Sequence, residues 1–324
     1  MSRATPLSPD SESLIDDLVL PFRAEASGVM GRLVRLGPAA DRILSSHNYP
    51  EPVSDLLGQA LCLTSLLGAA LKSGSKLILQ TKTDGPVGTL VVQNDGPGRL
   101  RGYASFTPEA IAAKPGEAML LGKGHLAMTI DPGGSRDRYQ GIVALDHQSL
   151  ADAALDYFRQ SEQLPTFLRL AVGRHYVTEA SRGWQWRAGG LMLQHLSPEG
   201  GTPEPLHDRL KGDGTGYEPD DNWERTRILA ETVEDHELID PSLAPERLLY
   251  RLFHEEGVRA YGAKSVSAHC GCSRERLGRI MSEFDAAELD DMARTTGHIE
   301  ITCEFCSARY VFARGELGRG NGTE

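Results

Sequence analysis

Long apolar runs are missing from this chain of 324 residues. No stretch approaches the roughly 18 consecutive apolar residues of a membrane span. Met1 to Pro21 interleaves Ser, Pro and Asp without the uninterrupted hydrophobic region of a secretory signal, so a soluble, cytoplasmic protein is the expectation. Basic residues are in short supply: 34 Lys and Arg face 45 Asp and Glu, a formal net charge of -11. That balance disfavours non-specific attraction to phosphate backbones, which needs clustered cations. Catalytic signatures are lacking too. His254-Glu255 has no second His to complete His-Glu-x-x-His. Gly122-Lys123-Gly124 is followed by His125, and Ala127 stands where Gly-x-Gly-x-x-Gly requires its last glycine, so a tight turn is the better reading. Asn321-Gly322-Thr323 matches a glycosylation sequon that is idle in a cytoplasmic chain.

What is present points to an α+β fold. Residues 54–72 place Leu57, Ala60, Leu61, Thr64, Leu67 and Leu71 at helical spacing with few charges, which predicts a buried helix. Lys76–Thr83, Val87–Gln93 and Arg99–Phe106 are separated by Gly85-Pro86 and Asp95-Gly96-Pro97-Gly98 and predict an antiparallel meander. Further strands are expected at Leu126–Ile130, Tyr139–Leu145, Thr166–Val172 and Trp184–Gln194. A helix is expected to start at Ser149, whose hydroxyl can cap the amides before Asp152, and to end by Pro165. Trp184 and Trp186 read as core or cross-strand packing. Cys62, between Leu61 and Leu63, reads as a buried, inert thiol. Helices and strands mix without βα alternation, and no internal repeat is seen.

The composition then changes. Ser197–Asp240 carries 13 Asp or Glu against 4 Lys or Arg, -9 of the total charge, and nine of the 26 residues from Ser197 to Asn222 are Gly or Pro. This is the material of a linker or conditionally ordered segment. Beyond it, Ile228, Leu229, Val233 and His236 on one side of an acidic helix, and Leu248, Leu249, Leu252 and Phe253 on another, offer faces able to dock on a core.

Four of the five cysteines lie in the last quarter, as Cys270-Gly271-Cys272 and, 30 residues on, Cys303-Glu304-Phe305-Cys306. Two close pairs of soft thiolates are what tetrahedral Zn2+ prefers, so Cys270, Cys272, Cys303 and Cys306 are the candidate metal ligands. His269 adjoins the site, but four thiolates already fill the shell. Between the pairs, Ser273 can cap a helix bearing Leu277, Ile280, Met281 and Phe284, while Ile299–Thr302 and Ala308–Phe312 have strand character. Zinc-bound sulfur is thiolate, the form oxidants attack, and a bent segment of two or three residues can bring Cα atoms within the roughly 4.4–6.8 Å a disulfide needs, so each pair can oxidise locally. Structural zinc contributes about 10–16 kcal/mol to the folding of a small module. Its loss is therefore a conformational signal; a permanently closed structural site is the alternative.

His269-Cys270-Gly271-Cys272-Ser273-Arg274-Glu275-Arg276 and Ile299-Glu300-Ile301-Thr302-Cys303-Glu304-Phe305-Cys306 resemble the redox-switch domain of the 33-kilodalton heat-shock chaperone family. The resemblance extends through Gln93–Ala104, Leu120–Leu126 with Thr129-Ile130-Asp131, Tyr139–Leu145 and Tyr157–Thr166, covering about Asp16 to Phe312. Gly28-Val29-Met30-Gly31-Arg32 departs from the expected Val-Arg-Gly-Arg form, so no arginine role carries over to Met30. The resemblance implies an ATP-independent holdase for unfolding proteins in the oxidative stress response. It implies inactivity when reduced and zinc-bound, and activity when Cys270 is paired with Cys272 and Cys303 with Cys306. It also implies that the linker unfolds with the switch and that the oxidised protein forms a homodimer.

The expected organisation is an N-terminal helix and antiparallel-sheet core over 1–196, an acidic metastable linker over 197–262 and a zinc-binding switch domain over 263–324. Two rival classes fit less well. A zinc-ribbon nucleic-acid binder should surround its metal with a basic stripe, and Arg274, Arg276 and Arg279 stand in an otherwise acidic chain. A metalloenzyme keeps an open coordination position, which four cysteines close.

Overall fold

Alternating apolar and polar residues build two sheets, and the apolar run around Leu61 builds a helix that packs against both. The computed structural model describes residues 5–7, 16–72, 74–96, 98–113, 117–134, 137–178, 183–195, 221–294 and 296–317. The Gly- and Pro-rich stretch before Asp221 and the sequon at Asn321 lie outside them. Contacts divide the chain into two units, Met1–Ala268 and His269–Glu324. The mixture of helix and largely antiparallel sheet is the expected α+β class.

The strands of the first unit begin with β1 (Thr5–Pro6), β2 (Leu18–Ala24), β3 (Met30–Leu36), β4 (Lys76–Thr83), β5 (Val87–Asp95), β6 (Arg99–Phe106) and β7 (Lys123–Asp131). They continue with β8 (Tyr139–Asp146), β9 (Thr166–Val177), β10 (Gly183–Gln194), β11 (Val258–Ala260), β12 (Lys264–Ser265) and β13 (Ser267–Ala268). One sheet runs β1-β11-β2-β3-β10-β9 with β12 added to β2, and the other runs β13-β6-β5-β4-β7-β8. The expected meander is thus β4-β5-β6, and the β9-β10 hairpin pairs Trp184 with Tyr176 and Trp186 with Arg174. Strands β2 and β3 were not among the expected elements. Pro21 interrupts the donor pattern of β2, and Gly28 and Gly31 mask that of β3.

The central helix spans Glu51–Gly68, starting earlier than expected because Pro52 is tolerated in a first turn. It stops at Gly68, so Leu71 lies outside it: a Cβ at Gly68 would sit 2.2 Å from the Asn94 amide nitrogen. Leu56, Leu57, Leu61, Leu63 and Leu66 are fully buried with Cys62. Each such leucine contributes roughly 1.5–3 kcal/mol by leaving water. Ser149 caps its helix as expected, accepting from the Asp152 amide at 3.1 Å.

The first sheet is buried on both faces. Val19, Val34 and Met192 point towards the central helix, while Leu18, Leu20, Phe22, Leu33, Leu191 and Leu193 point the other way. The second set is covered by helices Asp221–Glu231, Asp235–Ile239 and Pro245–Phe253. Leu248, Leu249, Leu252 and Phe253 are buried as expected, with Phe253 stacked on Phe22 at 5.4 Å. The preceding helix differs from expectation. Ile228 is 55% exposed, and Trp223, Thr226 and Ala230 form the buried stripe instead. Helix and core approach closely at Gly189, where a Cβ would lie 2.2 Å from the Leu238 carbonyl.

Two arginines on the covered sheet face hold this layer through its backbone. Arg35, fully buried, donates to the carbonyls of Leu238 (3.3 Å), Glu237 (3.0 Å) and Leu243. Arg187 donates to Ile239 O at 2.6 Å and to Asp16. Carbonyls at a helix C-terminus lack intrahelical partners, so the guanidinium groups complete the end of Asp235–Ile239. Burial pulls the Arg35 pKa down to about 10, which leaves it charged at neutral pH.

Candidate metal centre

The second unit pairs β14 (His298–Thr302) with β15 (Arg309–Ala313) and carries helices Arg274–Met281 and Ala286–Ala293. Ser273 Oγ accepts from the Arg276 amide at 3.2 Å and starts the first helix directly after Cys272. That helix ends at Met281, so Phe284 lies beyond the helix expected to bear it, and both Ile280 (45% exposed) and Phe284 (39%) face solvent. Asp285 and Glu288 form a capping box on the second helix. Arg274 ties helix to hairpin by donating to Val311 O at 2.7 Å, pairing with Glu316 and lying 4.4 Å from the Phe312 ring centroid.

The second cysteine pair sits on a knuckle between β14 and β15. Cys303 N donates to Ala308 O at 2.9 Å, Ser307 N donates to Cys303 O at 2.8 Å, and Ser307 adopts φ 56° to close the turn. Knuckle and helix start bring the four sulfurs together. All four Sγ atoms of Cys270, Cys272, Cys303 and Cys306 lie within 4.8 Å of one another. Two contacts cross between the motifs, Cys270–Cys303 at 3.7 Å and Cys272–Cys306 at 3.3 Å.

This donor set fits a tetrahedral thiophilic metal. Four sulfurs about 2.3 Å from a central Zn2+ stand roughly 3.8 Å apart, close to the observed contacts. The surrounding core is thin: Met281, Leu289, Ala293, Ile299, Phe312 and Leu317 are its buried apolar side chains among the described residues. A unit with so little apolar burial needs a cross-link to fold stably.

The thiols are not equivalent. Burial raises the pKa of Cys270 and Cys306. Burial also opposes ionisation of Cys272, but the Tyr310 hydroxyl, donating at 3.2 Å, and the neighbouring sulfurs outweigh it and lower that pKa to about 7. Tyr310 itself is pushed up to about 12, chiefly by this hydrogen bond. His269 is exposed beside the cluster. Cys62 lies in the other unit, fully buried, its pKa raised by desolvation. Neither Tyr310 nor Arg35 stands out in the sequence. The available signals are strand alternation, which puts Tyr310 on one face with Phe312, and a lone cation in Leu33-Val34-Arg35-Leu36.

A large α+β unit followed by a small unit organised around four thiols defines a protein with a C-terminal cysteine module of the metal-binding kind. The model of the Hsp33 protein family matches residues 17–313, and the chain belongs to that family of chaperones. A 33 kDa chaperonin of Caulobacter vibrioides is 43% identical over 312 residues, covering 94% of this chain and 97% of the relative. One from Aliivibrio fischeri is 37% identical over 288 residues, covering 89% of each. The crystal structure of the 33 kDa chaperonin (heat shock protein 33 homolog) of Thermotoga maritima shares the fold, with TM-score 0.69 at 22% identity over 93% of this chain and 96% of that one. No described helix is long and apolar enough to cross a membrane.

Proposed function

We propose that this chaperone is a redox-regulated, ATP-independent holdase of the cytoplasm, switched on by oxidation. The observation that carries the reading is the convergence of Cys270, Cys272, Cys303 and Cys306 within 4.8 Å in a unit with little else to hold it. In the reduced state these residues hold one Zn2+, which would cross-link the two motifs and keep the sulfurs as thiolates. Peroxide supplies the oxidant: two thiolates, one hydrogen peroxide and two protons give one disulfide and two waters. Once sulfur is in a disulfide it is no longer a thiolate ligand, and the cross-link is lost.

The disulfides are Cys270–Cys272 and Cys303–Cys306. The contacts that cross between motifs depend on the folded unit, whereas neighbours separated by one or two residues remain close after it unfolds. Three functional parts follow: a chaperone core over 1–196, a metastable linker over 197–262 and a switch over 263–324. Unfolding of the switch frees the linker helices, and the apolar face they cover, including Leu20, Phe22, Leu33 and Leu191, becomes a surface for unfolding proteins. The exposed face also supports a homodimer of the oxidised form.

Aggregation of a heat-unfolded protein, followed by light scattering with reduced zinc-loaded and with peroxide-treated chain, tests the reading. Suppression by the oxidised form alone is expected. Equal suppression by both forms would sink the switch.

A further inference from the structure

The final stretch of the first unit, Lys264 to Ala268, is an extended segment that joins both of its sheets. Lys264 and Ser265 pair antiparallel with Val19 and Leu18 of β2, while Ser267 and Ala268 pair in parallel with Arg99 and Leu100 of β6. Between them Val266 N donates to Asp17 O at 2.6 Å. The side chains alternate as in a half-buried strand. Lys264, Ser265 and Ser267 are exposed, Val266 is 7% exposed within the core, and Ala268 is packed against that core.

The seat of this segment is built for a backbone. Ser267 N donates to Gly98 O at 2.9 Å. Gly98 has φ 71°, and a Cβ there would lie 2.0 Å from Ser265 O, so glycine is what lets a second stretch of chain approach. Further along β6, Ala104 N donates to the Tyr49 hydroxyl at 3.0 Å, which closes the far end of the same edge. Leu100 and Gly102 lie between these two points, with backbone groups turned the same way. The side-chain position at Val266 is filled incompletely. Val266 lines a cavity of about 430 Å³ with Val19, Leu71 and Gly98, and that space admits a longer apolar side chain.

We propose that the β6 edge and this cavity form a docking site for an extended segment of an unfolding protein, which the chain's own Lys264–Ala268 occupies in the reduced state. The occupant carries a large apolar residue at the Val266 position and small or polar residues on either side, the pattern of the segment already seated there. Main-chain hydrogen bonds to the edge hold it, and the cavity selects its apolar side chain. Ala268 stands two residues before Cys270 in the sequence. Once the cysteine module unfolds, the native segment keeps its place only through two short pairings and one valine. A foreign segment that fills more of the cavity then displaces it. The site takes its occupant from the holdase reading above, and adds a directional place on the second sheet to the apolar face of the first.

Fluorescein-labelled peptides with the sequence of residues 263–269, carrying Val, Leu or Asp at the central position, test the site on the full chain by anisotropy. On the peroxide-treated protein the Leu peptide should bind saturably and about fourfold tighter than the Val peptide, the effect of one buried methylene. The Asp peptide should bind more than about tenfold more weakly. Reduced, zinc-loaded wild type should bind none of them. Reduced Val266→Asp, whose own segment no longer fits, should bind the Leu peptide without oxidation. Ser267→Pro, altered at an exposed side chain and lacking the amide that bonds Gly98 O, should do the same. A benzophenone side chain at the central peptide position should cross-link within Ser65–Lys72. Binding to the two variants but not to oxidised wild type upholds the site and overturns the redox trigger instead. Equal affinity of the Leu and Asp peptides, cross-links confined to the face lined by Phe22 and Leu191, or no saturable binding to any of these proteins at millimolar peptide overturns the site.

Discussion

Arg35 and Leu238, 203 residues apart, meet where the Arg35 guanidinium donates through Nε to the Leu238 carbonyl at 3.3 Å. The same side chain reaches Glu237 O and Leu243 O, so one buried cation completes a helix end and holds an acidic layer to the core. This attachment uses backbone carbonyls and is indifferent to the side chains of the layer. Replacing Arg35 removes all three bonds and strands the carbonyls.

The variant Arg35→Met should therefore loosen the layer without oxidation. Each bond to a charged donor contributes about 1.5–3 kcal/mol, and partial resolvation leaves an expected loss of about 2–4 kcal/mol in the local opening free energy of residues 221–260. Native-state hydrogen exchange on the reduced protein measures this segment by segment. Unchanged protection there would show that apolar contacts alone hold the layer.

The hydrogen bond from Tyr310 to Cys272 gives a second expectation. A donor to a thiolate stabilises its charge and reduces its nucleophilicity. In zinc-loaded protein Tyr310→Phe should accelerate peroxide-driven metal release several-fold while leaving release to a chelator less affected. Identical peroxide-driven release in the two proteins would remove Tyr310 from the site.

Metal content provides the third. One zinc per chain with four sulfur neighbours is expected from the donor set, measured by metal analysis and X-ray absorption. Cys306→Ser should lower the stoichiometry sharply and unfold β14 and β15, since the buried apolar side chains around them are few. A shell containing nitrogen or oxygen in the native chain would contradict the assignment.

Cys62 should remain a thiol throughout. It is fully buried, its pKa is raised by desolvation, and the described cysteine cluster lies in the other unit. Peptide mapping of the oxidised, active protein decides this, and a stoichiometric Cys62 disulfide would overturn the buried-thiol reading.

The cysteine cluster was legible because metal ligation fixes residue type and spacing together, and β4 to β6 because Gly and Pro turns punctuate alternating runs. The contacts that hold the acidic layer were not. Arg35 and Arg187 act on carbonyls, which leave no mark in side-chain composition, and Ile228 misdirected the expected helix face because the stripe Trp223, Thr226, Ala230 includes a polar and a small residue. Strand β2 was hidden by Pro21, whose carbonyl still accepts from Tyr261 N at 2.8 Å. Acidity also concealed how apolar the contact layer is: Trp223, Val233 and Leu238 are buried although Ser197–Asp240 carries a net -9.

That combination shapes the last expectation, that oxidation loosens residues 221–260 as well as the zinc module while the central helix and the second sheet stay folded. Helix Asp235–Ile239 has five residues and helix Pro245–Phe253 nine, too short to persist alone in water. Their stability rests on Phe22, Leu33, Leu191 and the two arginines beneath them. The central helix, by contrast, is packed against both sheets and needs no metal. Loss of the zinc module is therefore expected to release the weakly held helices first. Hydrogen exchange on oxidised protein should show lost protection over 221–260 and retained protection over 51–68 and 76–106. If 221–260 keeps full protection in a sample that has lost zinc and binds an unfolding protein, the layer is not the regulated element and clients bind elsewhere.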